Sequence, residues 1–185
     1  MSQGRQTEIL DQFQEGLTKY AATISSDHAY VHRGLAFTAI INTGSISAAY
    51  DIAFTTPEAA DGKYIHWRPI GISSSANYTG FTLYEGDTFS GGTAVTPVNR
   101  NRNASATSKM QAFVYGATAT PAGTIIQAGG IGASGNPNAR TGGGAGADQE
   151  LLLKPDTNYV LTLVPAGATT CVLELFWYEE EGYIA

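Results

Sequence analysis

The stretch TCVLELFWYE, residues 170–179, divides into two unlike faces when it is drawn out as a strand. Successive side chains of a strand point to opposite sides. Cys171, Leu173, Leu175 and Trp177 therefore share one face, and Val172, Glu174, Phe176 and Tyr178 share the other. The first face is wholly apolar and has to be buried. The second sets a carboxylate among aromatic rings, a composition that suits a partly covered surface such as a subunit contact. A chain ending in such a segment needs a sheet and a second layer to cover it.

The rest of the chain supplies both. AYVHRGLAFTAII, AAYDIAF, KYIHWRPIGIS, YTGFTLYEGD, GGTAVTPV, KMQAFVY, GTIIQA, DQELLLK and NYVLTLV are rich in β-branched and aromatic residues and separated by turn residues. With only 14% charged residues the chain is no charge-laced helical bundle. The expected fold is all-β, a jelly-roll-like antiparallel β-sandwich occupying residues 28–185, with a short N-terminal α-helix. NYVLTLV is expected to form a hairpin with the last strand, turning at PAGAT. Residues 1–27 are expected to form an N-terminal helical arm, with one amphipathic helix over residues 5–22 because Ile9, Leu10, Phe13 and Leu17 recur at helical spacing; it either packs across the end of the β domain or docks on a neighbouring subunit. Phe13 and Leu17 are its candidate contacts with a neighbouring subunit. Residues 129–147, GGIGASGNPNARTGGGAGA, contain too little apolar volume for a core and read as a long loop.

The formal net charge is −6. Nucleic-acid binders draw most of their affinity from basic surfaces that neutralise phosphates, so no nucleic-acid partner is expected. No apolar run approaches the roughly 18 residues of a membrane span. The single cysteine, Cys171, forms no disulfide within the chain. With the lack of an apolar leader in MSQGRQTEILDQF, this points to a soluble protein made in a cytoplasm.

Several motifs invite chemistry and do not support it. Gly130, Gly132 and Gly135 spell G-x-G-x-x-G, but NPNARTGGG follows where a dinucleotide site needs a helix. His28 and His32 lie in a stretch of strand composition, which sets them about 13 Å apart, too far for one ion. His66 is tied to neither by spacing, so no metal site is expected. Cys171 falls on the apolar face and is expected to be inert. Glu85 and Asp87 flank Gly86 as the solvated tip of a hairpin rather than as a glycosidase pair. Tyr64, Trp67, Tyr78 and Tyr84 offer a possible sugar platform or, more simply, core and interface. With no cofactor site and no catalytic constellation, the expectation is a protein that is not an enzyme.

The stretch TPVNRNRNASATSK, residues 96–109, reads as a polar connection at the edge of the sandwich. Arg100 and Arg102 are two apart, so on an extended backbone they project to the same side. There they suit bidentate contact with carboxylates of another subunit.

The segments KYIHWRPIGISSSANYTGFTLYEGDTFSGGTAVTPVNRNR and GGGAGADQELLLKPDTNYVLTLVPAGATTCVLELFWYEE give the chain a resemblance to small virion structural proteins of tailed bacteriophages. It is most like head decoration, or cement, proteins of jelly-roll fold, over roughly residues 28–180. The resemblance implies a non-enzymatic protein on the capsid surface, commonly a homotrimer, that clamps subunits of the major capsid protein. Tail-associated and receptor- or carbohydrate-binding modules share such sandwiches and form the alternative. In either setting the candidate contact residues are Phe13, Leu17, Arg100, Arg102, Glu174, Phe176 and Tyr178.

Overall fold

A computed structural model describes residues 26–68, 70–132 and 150–181. The helix expected within residues 5–22, with Phe13 and Leu17, lies outside the described residues, as do residues 133–147 of the Gly-rich stretch. The described chain starts with helix α1 (Ser26–His32) and continues into strands β1 (Ala36–Ile46), β2 (Tyr50–Thr55), β3 (Lys63–Trp67), β4 (Gly71–Ser74) and β5 (Thr79–Glu85). Then come β6 (Phe89–Ser90), β7 (Thr93–Ala94), β8 (Val98–Asn99), β9 (Gln111–Ala119) and β10 (Thr124–Ile131). The last are β11 (Leu151–Leu153), β12 (Asn158–Pro165) and β13 (Thr169–Glu181).

Four antiparallel pairs organise the fold, each joining an early strand to a late one. They are β1 with β13, β2 with β12, β3 with β11, and β5 with β10. A ribbon paired in this nested way and wrapped on itself gives two sheets. Sheet 1 runs β11-β3-β13-β1-β8, with β4 also on β13. Sheet 2 runs β10-β5-β12-β2-β9-β6, with β7 on β9. The architecture is the jelly-roll-like antiparallel sandwich expected from the sequence. Residues 89–119 are an excursion between β5 and β10 that widens both sheets at the same side, adding β8 to β1 and β9 to β2.

The core lies between the sheets. Cys171, Leu173, Leu175 and Trp177 are buried, as their alternation requires, and face a second layer that includes Phe54, Tyr159, Leu161 and Leu163. Aromatic rings bridge the layers. Phe54 of sheet 2 stacks on Trp67 of sheet 1 at 4.9 Å, and Phe113 meets Trp177 edge-on at 5.7 Å. Burying each such side chain stabilises by roughly 1.5–3 kcal/mol.

Four local expectations are corrected. First, β12 and β13 are not a hairpin: β12 pairs with β2 and β5, and β13 with β1, β3 and β4. Both strands carry inward rows of large apolar residues. Placing them in opposite sheets lets those rows pack against each other, and residues 166–168 cross between the layers. Second, the segment around His28 and His32 is helical, not extended. It ends in a C-terminal lock: Leu35 N donates to Tyr30 O and Gly34 N to Val31 O, both at 3.0 Å, with Gly34 at φ +69°. Tyr30 then stacks on Tyr178 at 4.0 Å, a tertiary contact that outweighs local strand propensity. Third, Gly129 and Gly130 belong to β10, and Ile131 reaches the core. A Cβ at Gly129 would stand 2.7 Å from the Phe81 ring, and one at Gly130 would meet the Tyr78 hydroxyl. These glycines make room for rings across the sheet rather than forming a loop. Fourth, the acids of YEGD are not at a solvated tip. Asp87 is buried and accepts from Ala122 N at 2.9 Å and Gly123 N at 2.6 Å. Glu85 accepts from Lys154 Nζ at 2.6 Å and the Tyr159 hydroxyl at 3.0 Å. Both carboxylates fasten loops.

Candidate protein interface on the outer face of sheet 1

Alternation that turns Leu173, Leu175 and Trp177 inward turns Val172, Glu174 and Phe176 outward. The register with β1 sets Asn42 beside Val172, Ile40 beside Glu174 and Thr38 beside Phe176. On the far side of β1, Val98 of β8 stands beside Thr38. Ile40 is 67% exposed and lies diagonally between Val172 and Phe176. Val98 and Val172 are exposed as well. Ile40, Val172 and Phe176 thus flank Glu174, with Gly71 of β4 on its other side and Val98 further out across β1; its carboxylate has no hydrogen bond or ion pair among the described residues.

The segment 99–104 forms the rim of this patch, and its two residue types divide the work. The asparagines build the turn. Asn99, buried, donates to Gly34 O at 2.8 Å and Ala106 O at 3.0 Å, and its Oδ1 accepts from Asn101 N at 2.9 Å. Asn101 donates to His32 O at 3.0 Å and accepts from Asn103 N at 3.1 Å. Ala104 N closes on Asn101 O at 3.0 Å. The arginines stay outside, exposed. The backbone here bends, so the shared side expected for Arg100 and Arg102 from an extended chain does not apply. Arg100 lies over the Phe176 ring with its guanidinium carbon 4.7 Å from the centroid, a favourable cation–ring contact. Arg102 sits in the adjoining turn.

Tyr178, two residues further along the same face, is treated differently. Its ring is sandwiched between Tyr30 and His66, at centroid distances of 4.0 and 4.4 Å, and is 8% exposed. Its hydroxyl donates to Glu150 Oε1 at 2.6 Å. The same oxygen meets His66 Nδ1 at 2.6 Å, and Glu150 Oε2 accepts from Arg68 at 3.0 Å. His66 Nε2 faces Glu180 at 3.4 Å. Burial opposes ionisation of Glu150, but the bonds from Tyr178, His66 and Arg68 outweigh it and hold the carboxyl below its ordinary range. Burial first, and then the bond to Glu150, pushes the Tyr178 hydroxyl well up. Burial and a bond to Glu180 push Tyr30 up to about 12. Both nitrogens of His66 are engaged by carboxylates, so the ring ties β3 to β13 and to Glu150 ahead of β11.

Arg100, Glu174 and Phe176 are therefore brought together on one open surface with Arg102 at its margin, while Tyr178 is covered by this chain's own residues. Sequence reasoning placed Val172 on this face but missed Ile40 and Val98 as members of the patch, although Ile40 at an outward position of β1 was the available signal. It also missed Glu179. That residue continues the inward row of Leu175 and Trp177 and is 2% exposed. Its carboxylate accepts from Ser108 Oγ at 2.6 Å, Lys109 N at 2.9 Å and Trp177 Nε1 at 3.2 Å, and so pins the excursion to the core. The sugar platform does not assemble, because Trp67 is wholly buried. Among the described residues no group of three His, Cys, Asp or Glu side chains is placed to hold a metal ion, and no helix is long and apolar enough to cross a membrane. No protein-family model matches this sequence, and no curated protein and no solved structure is significantly similar to it.

Proposed function

We propose that this chain is a non-enzymatic structural protein of a tailed-phage virion that binds the capsid shell as a decoration protein through the outer face of sheet 1. The observation that carries the binding role is the open patch of Ile40, Val98, Val172 and Phe176 beside Glu174, which no described residue partners, with Arg100 at its rim. An apolar centre with an aromatic residue and arginine beside it is the composition of a protein-binding surface. The phage setting rests on the resemblance of the two long segments quoted above, and with it the major capsid protein as partner, a homotrimeric state and a place on the capsid surface. Binding to the assembled shell but not to loosened subunits would stabilise the shell by mass action.

The test is a titration onto capsids lacking the protein. Ile40→Thr combined with Val172→Thr keeps strand propensity and removes apolar contact, and should weaken attachment by about tenfold or more. Attachment unchanged in the double variant would remove this face from the reading. Absence of shell binding by the unaltered protein would remove the decoration role itself.

A further inference from the structure

His28 and His32 stand one helical turn apart on the exposed side of α1. Their Nε2 atoms approach to 2.7 Å, with ring centroids 4.5 Å apart. The helix that presents them is anchored from three directions. Its inward residue, Tyr30, stacks on Tyr178; its C-terminus is locked at Gly34; and the His32 carbonyl accepts from Asn101 Nδ2 at 3.0 Å. The two imidazoles thus converge on a backbone that is already fixed, so little ordering remains for a ligand to impose. In the free protein one ring donates its Nε2 proton to the other.

We infer that this pair is a chelating site for a borderline divalent transition-metal ion. Imidazole nitrogens bind such ions at about 2.0–2.1 Å. Two nitrogens at right angles around one ion then stand about 2.9 Å apart, and two in a tetrahedral arrangement about 3.3 Å. The observed separation is closer to the right-angled value, which favours tetragonal ions such as Cu²⁺ and Ni²⁺ over tetrahedral Zn²⁺. A small rotation of two exposed rings covers the remainder. Both rings coordinate as neutral imidazoles through Nε2, and the ring that donated the shared proton carries it on Nδ1 instead. Hard ions such as Mg²⁺ gain nothing from imidazole. Two protein ligands leave coordination positions open to water or to a group from a docked neighbour. The site is independent of the capsid role proposed above.

The experiment uses the full chain without an affinity tag. Calorimetric titration with NiCl₂ should show saturable one-to-one binding, with none for MgCl₂. Replacing a direct ligand should cost at least the ~10–100-fold that loss of an outer-shell partner costs, so His28→Ala and His32→Ala should each weaken Ni²⁺ by that factor. Both rings are exposed, so thermal melting should be unchanged. Independently, paramagnetic Ni²⁺ should broaden amide signals of α1 and leave those around His66 sharp. Ni²⁺ binding no tighter than Mg²⁺, undiminished binding by either variant, or broadening centred on His66 would overturn the site.

Discussion

The outer face of sheet 1 has a sealed half and an open half, both built on β13. Around Tyr178 the polar groups are satisfied from within: Tyr30 and His66 cover the ring, and Glu150 takes bonds from Tyr178, His66 and Arg68. Around Glu174, four residues earlier, apolar neighbours stand on β1 and along β13, and no described residue partners the carboxylate. One strand thus carries a carboxylate in each of two conditions, Glu179 buried with three donors and Glu174 exposed with none. A buried charge without partners is costly, so Glu179 has to be served by its own chain. Glu174 is solvated and carries no such requirement, which leaves it available to another molecule.

The sharpest way to break this contrast is to remove each carboxylate in turn. Glu179→Ala strands the Ser108 hydroxyl, the Lys109 amide and the Trp177 indole, and should cost about 3 kcal/mol in urea unfolding. Glu174→Ala should stay within about 0.5 kcal/mol. Equal costs would show that the two halves are not energetically distinct. Next in size, Tyr30→Ala removes a ring stack and should cost about 1 kcal/mol. It should also open the sealed half, seen as faster amide exchange in β13 near Tyr178.

A smaller effect depends on pH. The Glu150 carboxyl is held below its ordinary value, so its contribution is fully present above the unfolded pKa of about 4.3 and fades as pH falls through the lower folded value. The stability difference between the unaltered protein and Glu150→Gln should therefore shrink on acidification below that point. Tyr30 gives the opposite sign at the alkaline end. Its folded value is raised to about 12, so its contribution is intact below the unfolded value of about 10 and is lost as pH rises through the folded one. Tyr30→Phe should flatten that alkaline loss. Smallest of all, Ile40→Thr in the open half should shift unfolding by no more than about 0.5 kcal/mol. A large destabilisation there would mean that the patch supports the fold rather than a partner.

Alternation along the chain was enough to determine the strands, the all-β class and the inward row of β13, because a strand with one apolar side must bury that side whatever its partners are. The same alternation extends to Glu179, which the reading of the sequence passed over, although a carboxylate at an inward position is a legible sign of a built-in set of donors. Which strands pair was decided only in three dimensions. β12 and β13 are close in sequence and each compatible with a hairpin, but they lie in opposite sheets because their apolar rows gain more by facing each other than by lying edge to edge. The same holds for α1, whose residues favour a strand locally and are held helical by the lock at Gly34 and by Tyr30 on Tyr178. The candidate interface divides in the same way. Glu174, Phe176 and Arg100 are visible as outward or polar residues in the sequence. Their convergence with Ile40 and Val98, and the withdrawal of Tyr178 beneath Tyr30, depend on cross-strand register and on a helix docking from elsewhere in the chain, which no local pattern encodes.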